Sequence, residues 1–150
     1  MNTLKFKFRY ESLLSYREHL KEKAAVEFAR SQSDVRKIDE QIKAYSDEVT
    51  KANDDLEKKT RDTMSSNEII NHSEFINALL IRIEIKKMER LKAEQVLFQK
   101  RKNLLEKSRQ CKVFEKLKEK DFEKWHHDQN QLELKEINEA AVIRYGKTFL

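Results

Sequence analysis

The sequence almost lacks the residues that interrupt helices and strands. It has no proline and a single glycine, Gly146, in 150 residues. Because proline and glycine are the strongest local breakers, their near absence argues against a fold of many short elements joined by tight turns. Cys111 is the only cysteine, which excludes an intrachain disulfide and favours a reducing compartment. The absence of any long apolar run gives no sign of a signal peptide or a membrane span.

Charged residues are abundant but mixed in sign. Lysine and arginine number 32 and aspartate and glutamate 27, so the formal net charge is +5. The two signs are interleaved along the chain, as they are on helix surfaces laced with i,i+4 pairs. A nucleic-acid-binding protein concentrates its basic residues in one tract or on one face. No such tract is present, so nucleic acid is not expected among the partners.

Apolar residues in the first half recur in alternating steps of four and three. This ladder consists of Ala24, Phe28, Ser31, Val35, Ile38, Ile42, Tyr45, Val49, Ala52 and Leu56, and only Ser31 is not apolar. A strand would need a period of two, whereas a period of 3.5 is typical of a helix that supercoils around a partner. The ladder therefore predicts a coiled-coil helix.

The ladder ends shortly before a sequence pattern that is typical of a helix N-terminus. Ser65 and Glu68 have the spacing of a capping box, with Met64 and Ile69 placed to form a hydrophobic staple. We therefore predict a first helix over about residues 4–60, a turn at about 61–66 and a second helix over about 66–145. A short connection between long helices favours an antiparallel hairpin. The expected fold class is all-α, with residues 1–150 forming one coiled-coil domain.

The second helix carries a wider apolar stripe than the first. Its members are Phe75, Ile76, Leu79, Leu80, Ile83, Met88, Leu91, Leu97, Phe98, Leu104, Leu105, Cys111, Phe114 and Leu117. Because this helix is the longer of the two, about its last 20 residues should have no intrachain partner, by the pairing geometry of a hairpin. Leu134 and Ile137 lie there. A helix with so wide an apolar face normally buries it, which points to a partner protein.

Signals of enzymatic chemistry are absent from the sequence. There is no glycine-rich phosphate loop, nucleophile elbow or metal-spaced cluster, and His126 and His127 are adjacent and point to different helix faces. We therefore expect no catalysis, cofactor or metal. Trp125 is either a partner anchor or a side chain that packs near Phe6 or Phe8, and its spacing favours packing. Cys111 is expected to be a small buried hydrophobe.

Two terminal segments go beyond a generic coiled coil. The N-terminal segment reads Phe6-Lys7-Phe8-Arg9 followed by Leu13-Leu14, and the C-terminal segment reads Glu133-Leu134-Lys135-Glu136-Ile137-Asn138-Glu139-Ala140-Ala141. With the length and the central break, this combination resembles the flagellar FliJ family over nearly the whole chain. The resemblance implies a soluble, cytoplasmic component of the bacterial flagellar type III export apparatus, similar to the central stalk of rotary ATPases.

The resemblance also implies partners. They are the export ATPase hexamer, contacted by the joined chain ends, the cytosolic domain of the membrane export gate, and in some members export chaperones. Membrane association would be peripheral, through these partners. By position, the gate residues would be Gln41, Tyr45, Phe75 and Leu79, although Tyr45 also lies in the ladder. The ATPase residues would be Arg9, Arg17, Lys118, Leu134, Ile137 and Arg144.

Two other readings remain open at this point. One is the corresponding stalk protein of a virulence injectisome. The other is a structural coiled-coil tether, in which each chain stays extended and pairs with a second copy.

Overall fold

The computed structural model describes residues 4–61 and 65–148, with side chains up to residue 146. It contains two helices, α1 (Glu11–Arg61) and α2 (Ser66–Thr148). The two long helices pack against each other in a hairpin, so the predicted all-α fold class is confirmed. The pairing is within one chain, unlike the extended homodimer reading.

The first helix begins at Glu11, later than the predicted start near residue 4. Residues 4–8 are not helical, and Phe6 and Phe8 alternate with the exposed side chains of Lys5 and Lys7. In an extended segment, residues two apart point to the same side, so both phenylalanines can pack inward. The Glu11 N–H then donates to the Phe8 carbonyl over 3.3 Å, where the helix begins.

The serine half of the predicted capping box is present at the start of α2. The Glu68 N–H donates to Ser65 Oγ over 3.4 Å, and the Ile69 N–H donates to the Ser65 carbonyl over 3.2 Å. The serine thus satisfies backbone donors that the first helical turn leaves without partners. Met64, the other half of the predicted staple, lies outside the described residues.

The chain divides into two compact units. The central unit is Lys23–Leu105, and the terminal unit combines residues 1–22 with residues 106–150. Each unit contains a stretch of both helices. The single coiled-coil domain over residues 1–150 stays a prediction.

In the central unit, the ladder of α1 faces α2. All ten ladder positions from Ala24 to Leu56 are buried or half-buried, which confirms the 3.5-residue period. The pairing is antiparallel, because the separation in sequence of paired residues falls from 73 for Glu27 and Lys100 to 51 for Asp39 and Arg90. The buried core of this unit comprises Ala24, Ser31, Ala52, Ile76, Leu79 and Ile83.

The side of α2 that meets α1 differs from the predicted stripe. Ile76, Leu79 and Ile83 are buried as predicted, but further along the helix several large apolar side chains are exposed: Met88, Leu91, Phe98 and Leu105. The half-buried positions there, as far as Leu104, are Lys86, Arg90, Ala93, Glu94, Leu97, Lys100 and Leu104. Long basic side chains can cover apolar surface with their stems while their charged ends meet carboxylates. The seam of α2 is therefore partly basic.

Ion pairs between the helices accompany this basic seam. Arg90 donates through Nε and Nη2 to the two carboxylate oxygens of Asp39, and Lys100 Nζ lies 3.2 Å from Glu27 Oε2. The hydrogen bond and charge of Asp39, followed by the charge of Glu94, raise the pKa of the Arg90 guanidinium. Polar groups at seam positions specify register at some expense of stability. These pairs therefore favour one alignment of the two helices.

Candidate partner-binding surface

An aromatic cluster joins the N-terminal segment to α2 in the terminal unit. The Phe6 ring centroid lies 5.4 Å from that of Phe122 and 5.8 Å from that of Trp125. Phe122 and Trp125 also contact each other along α2 at 6.0 Å. We call these three residues the aromatic clasp. The clasp confirms that Trp125 packs against the start of the chain, and Trp125 is half-buried as a result.

A small apolar core lies beside the clasp. Phe8, Leu14 and Cys111 are buried together, with Phe6, Tyr10, Phe114 and Leu117 packed against them. Cys111 is completely buried, so the prediction of a small buried hydrophobe is confirmed. Burial, followed by its hydrogen bond to Glu115, raises the pKa of the Cys111 thiol. A thiol that stays protonated and covered is a packing residue, because the thiolate is the reactive form.

Polar contacts hold the same stretch of the two helices together. Lys118 Nζ lies 3.0 Å from Glu11 Oε2, and Arg17 Nη1 donates to Gln110 Oε1 over 2.6 Å. The paired positions are 107 and 93 residues apart, so the pairing in this unit is also antiparallel. Arg17 is half-buried, and its Nε is covered without an acceptor among the described residues. Arg17 therefore belongs mainly to the pairing of the helices.

The six residues predicted to face the ATPase fall into two groups. Arg17 and Lys118 already have partners within the hairpin, so much of their bonding capacity is used there. The others are exposed: Arg9, Leu134, Ile137 and Arg144. The Arg9 guanidinium lies over the Tyr10 ring, 5.4 Å from its centroid. The structure brings Arg9, Arg17 and Lys118 to the paired part of the terminal unit.

Leu134, Ile137 and Arg144 lie on the C-terminal extension, which we define as residues 126–146 of α2. Every residue from Asn130 to Gly146 is exposed except Ala141, which is half-buried. Leu134 is 54% exposed and Ile137 is 63% exposed. Shallow hollows lie along this extension, one between Asp128 and Ile143 and another between Ile137 and Tyr145. The extension therefore presents apolar side chains to solvent, as the sequence predicts.

The four residues predicted to contact the gate lie in the central unit and differ in accessibility. Gln41 is exposed and Phe75 is 52% exposed, whereas Tyr45 is half-buried in the ladder. Leu79 is only 1% exposed, because it packs in the core between the helices. Leu79 can therefore support a neighbouring surface but does not itself form part of it. Phe75 instead borders a hollow that also includes Glu48, Asp55 and His72.

Sequence analysis missed one exposed apolar feature. Leu91, Phe98 and Leu105 belong to the predicted apolar stripe of the second helix and recur every seven residues, and all three face solvent. Their strict heptad spacing could have indicated this surface from the sequence, because a second stripe of this period beside a seam is typical of contact with a further helix.

Within the described ranges 4–61 and 65–148, no group of histidine, cysteine, aspartate and glutamate is arranged to hold a metal ion. Over the same residues, neither helix has a stretch long and apolar enough to cross a membrane. The fold and its surface define a class: a helical hairpin whose exposed apolar extension is suited to binding other proteins.

Comparison with known proteins gives the family. The family model described as "Flagellar FliJ protein" matches residues 6–148. A curated relative, the flagellar FliJ protein of Bacillus subtilis (strain 168), is 26% identical over 141 residues, which cover 93% of this chain and 95% of the relative. No solved structure matches. The chain belongs to the flagellar FliJ family, whose members are non-enzymatic structural components of the flagellar export apparatus.

This membership confirms the predicted resemblance and favours the flagellar reading over the injectisome one. The matched region contains both terminal segments on which the resemblance was based.

Proposed function

We propose that the protein is a stalk that couples the flagellar export ATPase hexamer to the cytosolic domain of the export gate, and so promotes export of flagellar proteins. In this proposal it works at the cytoplasmic face of the membrane, held there by its partners, with export chaperones as further partners. The observation that carries the proposal is the C-terminal extension, which exposes Leu134 and Ile137 beyond the aromatic clasp.

The physical argument starts from the exposed apolar area. Leu134 and Ile137 are more than half exposed on a helix that is itself well formed. Such residues become favourable anchors when a partner covers them, and truncating one anchor in an interface core typically costs about 1–4 kcal/mol. The aromatic clasp supports this role because it fixes α2 directly before the extension begins, which reduces the ordering needed on binding.

The test is the double substitution Leu134→Ala, Ile137→Ala. It should weaken ATPase binding at least about tenfold, which corresponds to roughly 1.4 kcal/mol. Helicity should change little, because alanine is the best helix former and both side chains already face solvent. The measurement is ATP turnover by the cognate hexamer, titrated with each variant.

The matched control is Glu57→Ala, near the end of α1. Its ion pair with Arg61, 3.5 Å long, is exposed, so its loss should have little effect on stability. Glu57→Ala should stimulate the ATPase like the parent. If the double variant stimulates like the parent while Glu57→Ala does not, the two ends of the hairpin have been assigned to the wrong partners.

The gate half of the proposal needs its own variant. Phe75 is half exposed, so Phe75→Ala should weaken binding of the isolated cytosolic gate domain while ATPase stimulation stays at the parental level. The measurement is binding of that domain by titration calorimetry. Equal gate binding by Phe75→Ala and the parent would remove this residue from the gate surface.

A further inference from the structure

Helix α2 carries a second apolar stripe within the central unit. Leu91, Phe98 and Leu105 are 52%, 64% and 53% exposed. Their spacing of seven residues places them in line on one face, about 10 Å apart at 1.5 Å rise per residue. Each follows directly after a half-buried seam position, namely Arg90, Leu97 and Leu104. We call Leu91, Phe98 and Leu105 the outer stripe.

The surface between members of the outer stripe is concave. A hollow there is lined by residues that include Leu91, Glu94, Gln95 and Phe98. These four stand at positions i, i+3, i+4 and i+7. In coiled coils, four residues with this spacing form the hole that receives one side chain of a facing helix. The complementary shape is therefore another helix that carries apolar side chains at heptad spacing.

Charge around the outer stripe indicates which kind of helix fits. Lys92, Arg101 and Lys102 are exposed and have no ion pair within the described part of the chain. Glu94 shares the Arg90 guanidinium with Asp39, since Arg90 Nη1 lies 2.6 Å from Glu94 Oε1, and Glu106 is exposed beside Leu105. The three cations outnumber the two carboxylate charges left there. The uncompensated charge beside the stripe is therefore positive, and it attracts acidic side chains.

We propose that the outer stripe docks an amphipathic helix of another protein, whose apolar heptad face is flanked by aspartate or glutamate. Pairing of this stripe with the same stripe of a second copy is disfavoured, because it would bring Lys92, Arg101 and Lys102 near their own equivalents. The site involves none of the residues assigned above to the ATPase or the gate. Its failure would therefore leave the proposed function untouched.

The experiment uses the full chain and two synthetic helical peptides of about 21 residues, or three heptads. Both peptides carry leucine at the a and d positions; one has glutamate and the other lysine at the e and g positions. Binding is followed by fluorescence anisotropy. The glutamate peptide should bind at least about tenfold more tightly than the lysine peptide.

Two variants locate the site. Phe98→Ser should weaken binding of the glutamate peptide at least about tenfold. The double variant Arg101→Glu, Lys102→Glu should lower affinity for the glutamate peptide and raise it for the lysine peptide. The matched control is Val113→Ser, because Val113 is also 64% exposed but lies outside the stripe. Circular dichroism should be unchanged for all variants, since every altered side chain faces solvent.

Three outcomes would overturn the proposal. Equal peptide binding by Phe98→Ser and Val113→Ser would show that the stripe is not the docking site. An unchanged peptide preference in the double charge variant would exclude an acidic partner helix. If the parent sediments as a dimer that Phe98→Ser dissociates, the occupant of the stripe is a second copy of this chain.

Discussion

The aromatic clasp offers the sharpest test of how the terminal unit is held together, through Phe6→Ala. Phe6 makes two ring contacts, at 5.4 Å to Phe122 and 5.8 Å to Trp125. Each aromatic pair contributes roughly 0.5–1.5 kcal/mol beyond the area it buries. Truncating a fully buried phenylalanine costs about 3–5 kcal/mol. Because Phe6 is only half-buried, we expect a loss of about 2–3 kcal/mol, at or just below the low end of that range.

The assay exploits the fact that Trp125 is the only tryptophan. Without Phe6, the indole loses a covering ring, so its fluorescence emission should shift to longer wavelength. If the loss acts on the whole fold, the melting temperature should fall by about 4–12 °C, at roughly 2–4 °C per kcal/mol for a chain of this size. A red shift with a smaller change in melting would mean that the segment before α1 detaches locally.

The matched control for Phe6→Ala is Leu4→Ala. Leu4 is 68% exposed, so its truncation should leave both emission and melting unchanged. The reasoning fails if the emission spectrum of Phe6→Ala coincides with that of the parent, because Trp125 would then not depend on Phe6 for its cover.

Three further predictions concern the paired helices. Leu79→Ala should destabilise the fold by about 3 kcal/mol, because Leu79 is 1% exposed, whereas Phe75→Ala should cost under about 1 kcal/mol. Equal chemical denaturation midpoints for the two variants would place Leu79 outside the core. Cys111 should react with iodoacetamide at least about 100-fold more slowly in the native protein than in denaturant, because burial covers the thiol and raises its pKa. Mass spectrometry follows the reaction, and comparable rates in the two conditions would contradict this prediction. Asp39→Ala and Arg90→Ala should be non-additive in a double-mutant cycle of unfolding free energies, with a small coupling because the pair is partly exposed. Additivity would show that the contact adds no stability.

The period of the first half of the chain was enough to predict α1 and its buried side. A ladder in steps of four and three matches one helical arrangement only, and all ten positions from Ala24 to Leu56 face inward. The cap at Ser65 was equally readable, because a hydroxyl three residues before a glutamate satisfies local backbone donors without help from the rest of the fold. Local chemistry and a single consistent period therefore carried these predictions.

The rotation of α2 could not be read in the same way. This helix has more apolar residues than one seam can bury, so its sequence is compatible with more than one face turned towards α1. In the structure, the face turned towards α1 is the one on which Arg90 meets Asp39 and Lys100 meets Glu27, partners that are distant in sequence. With those cations in the seam, Phe98 was left exposed.

The sequence by itself determined the helices, the break between them, the apolar extension and the family resemblance, because each depends on local pattern or on residue order. Tertiary structure alone decided that residues 4–8 are not helical and that the outer stripe faces solvent. The physical reason is the same in each case. Burial depends on what the other helix places opposite a residue, and a pattern within one helix does not contain that information.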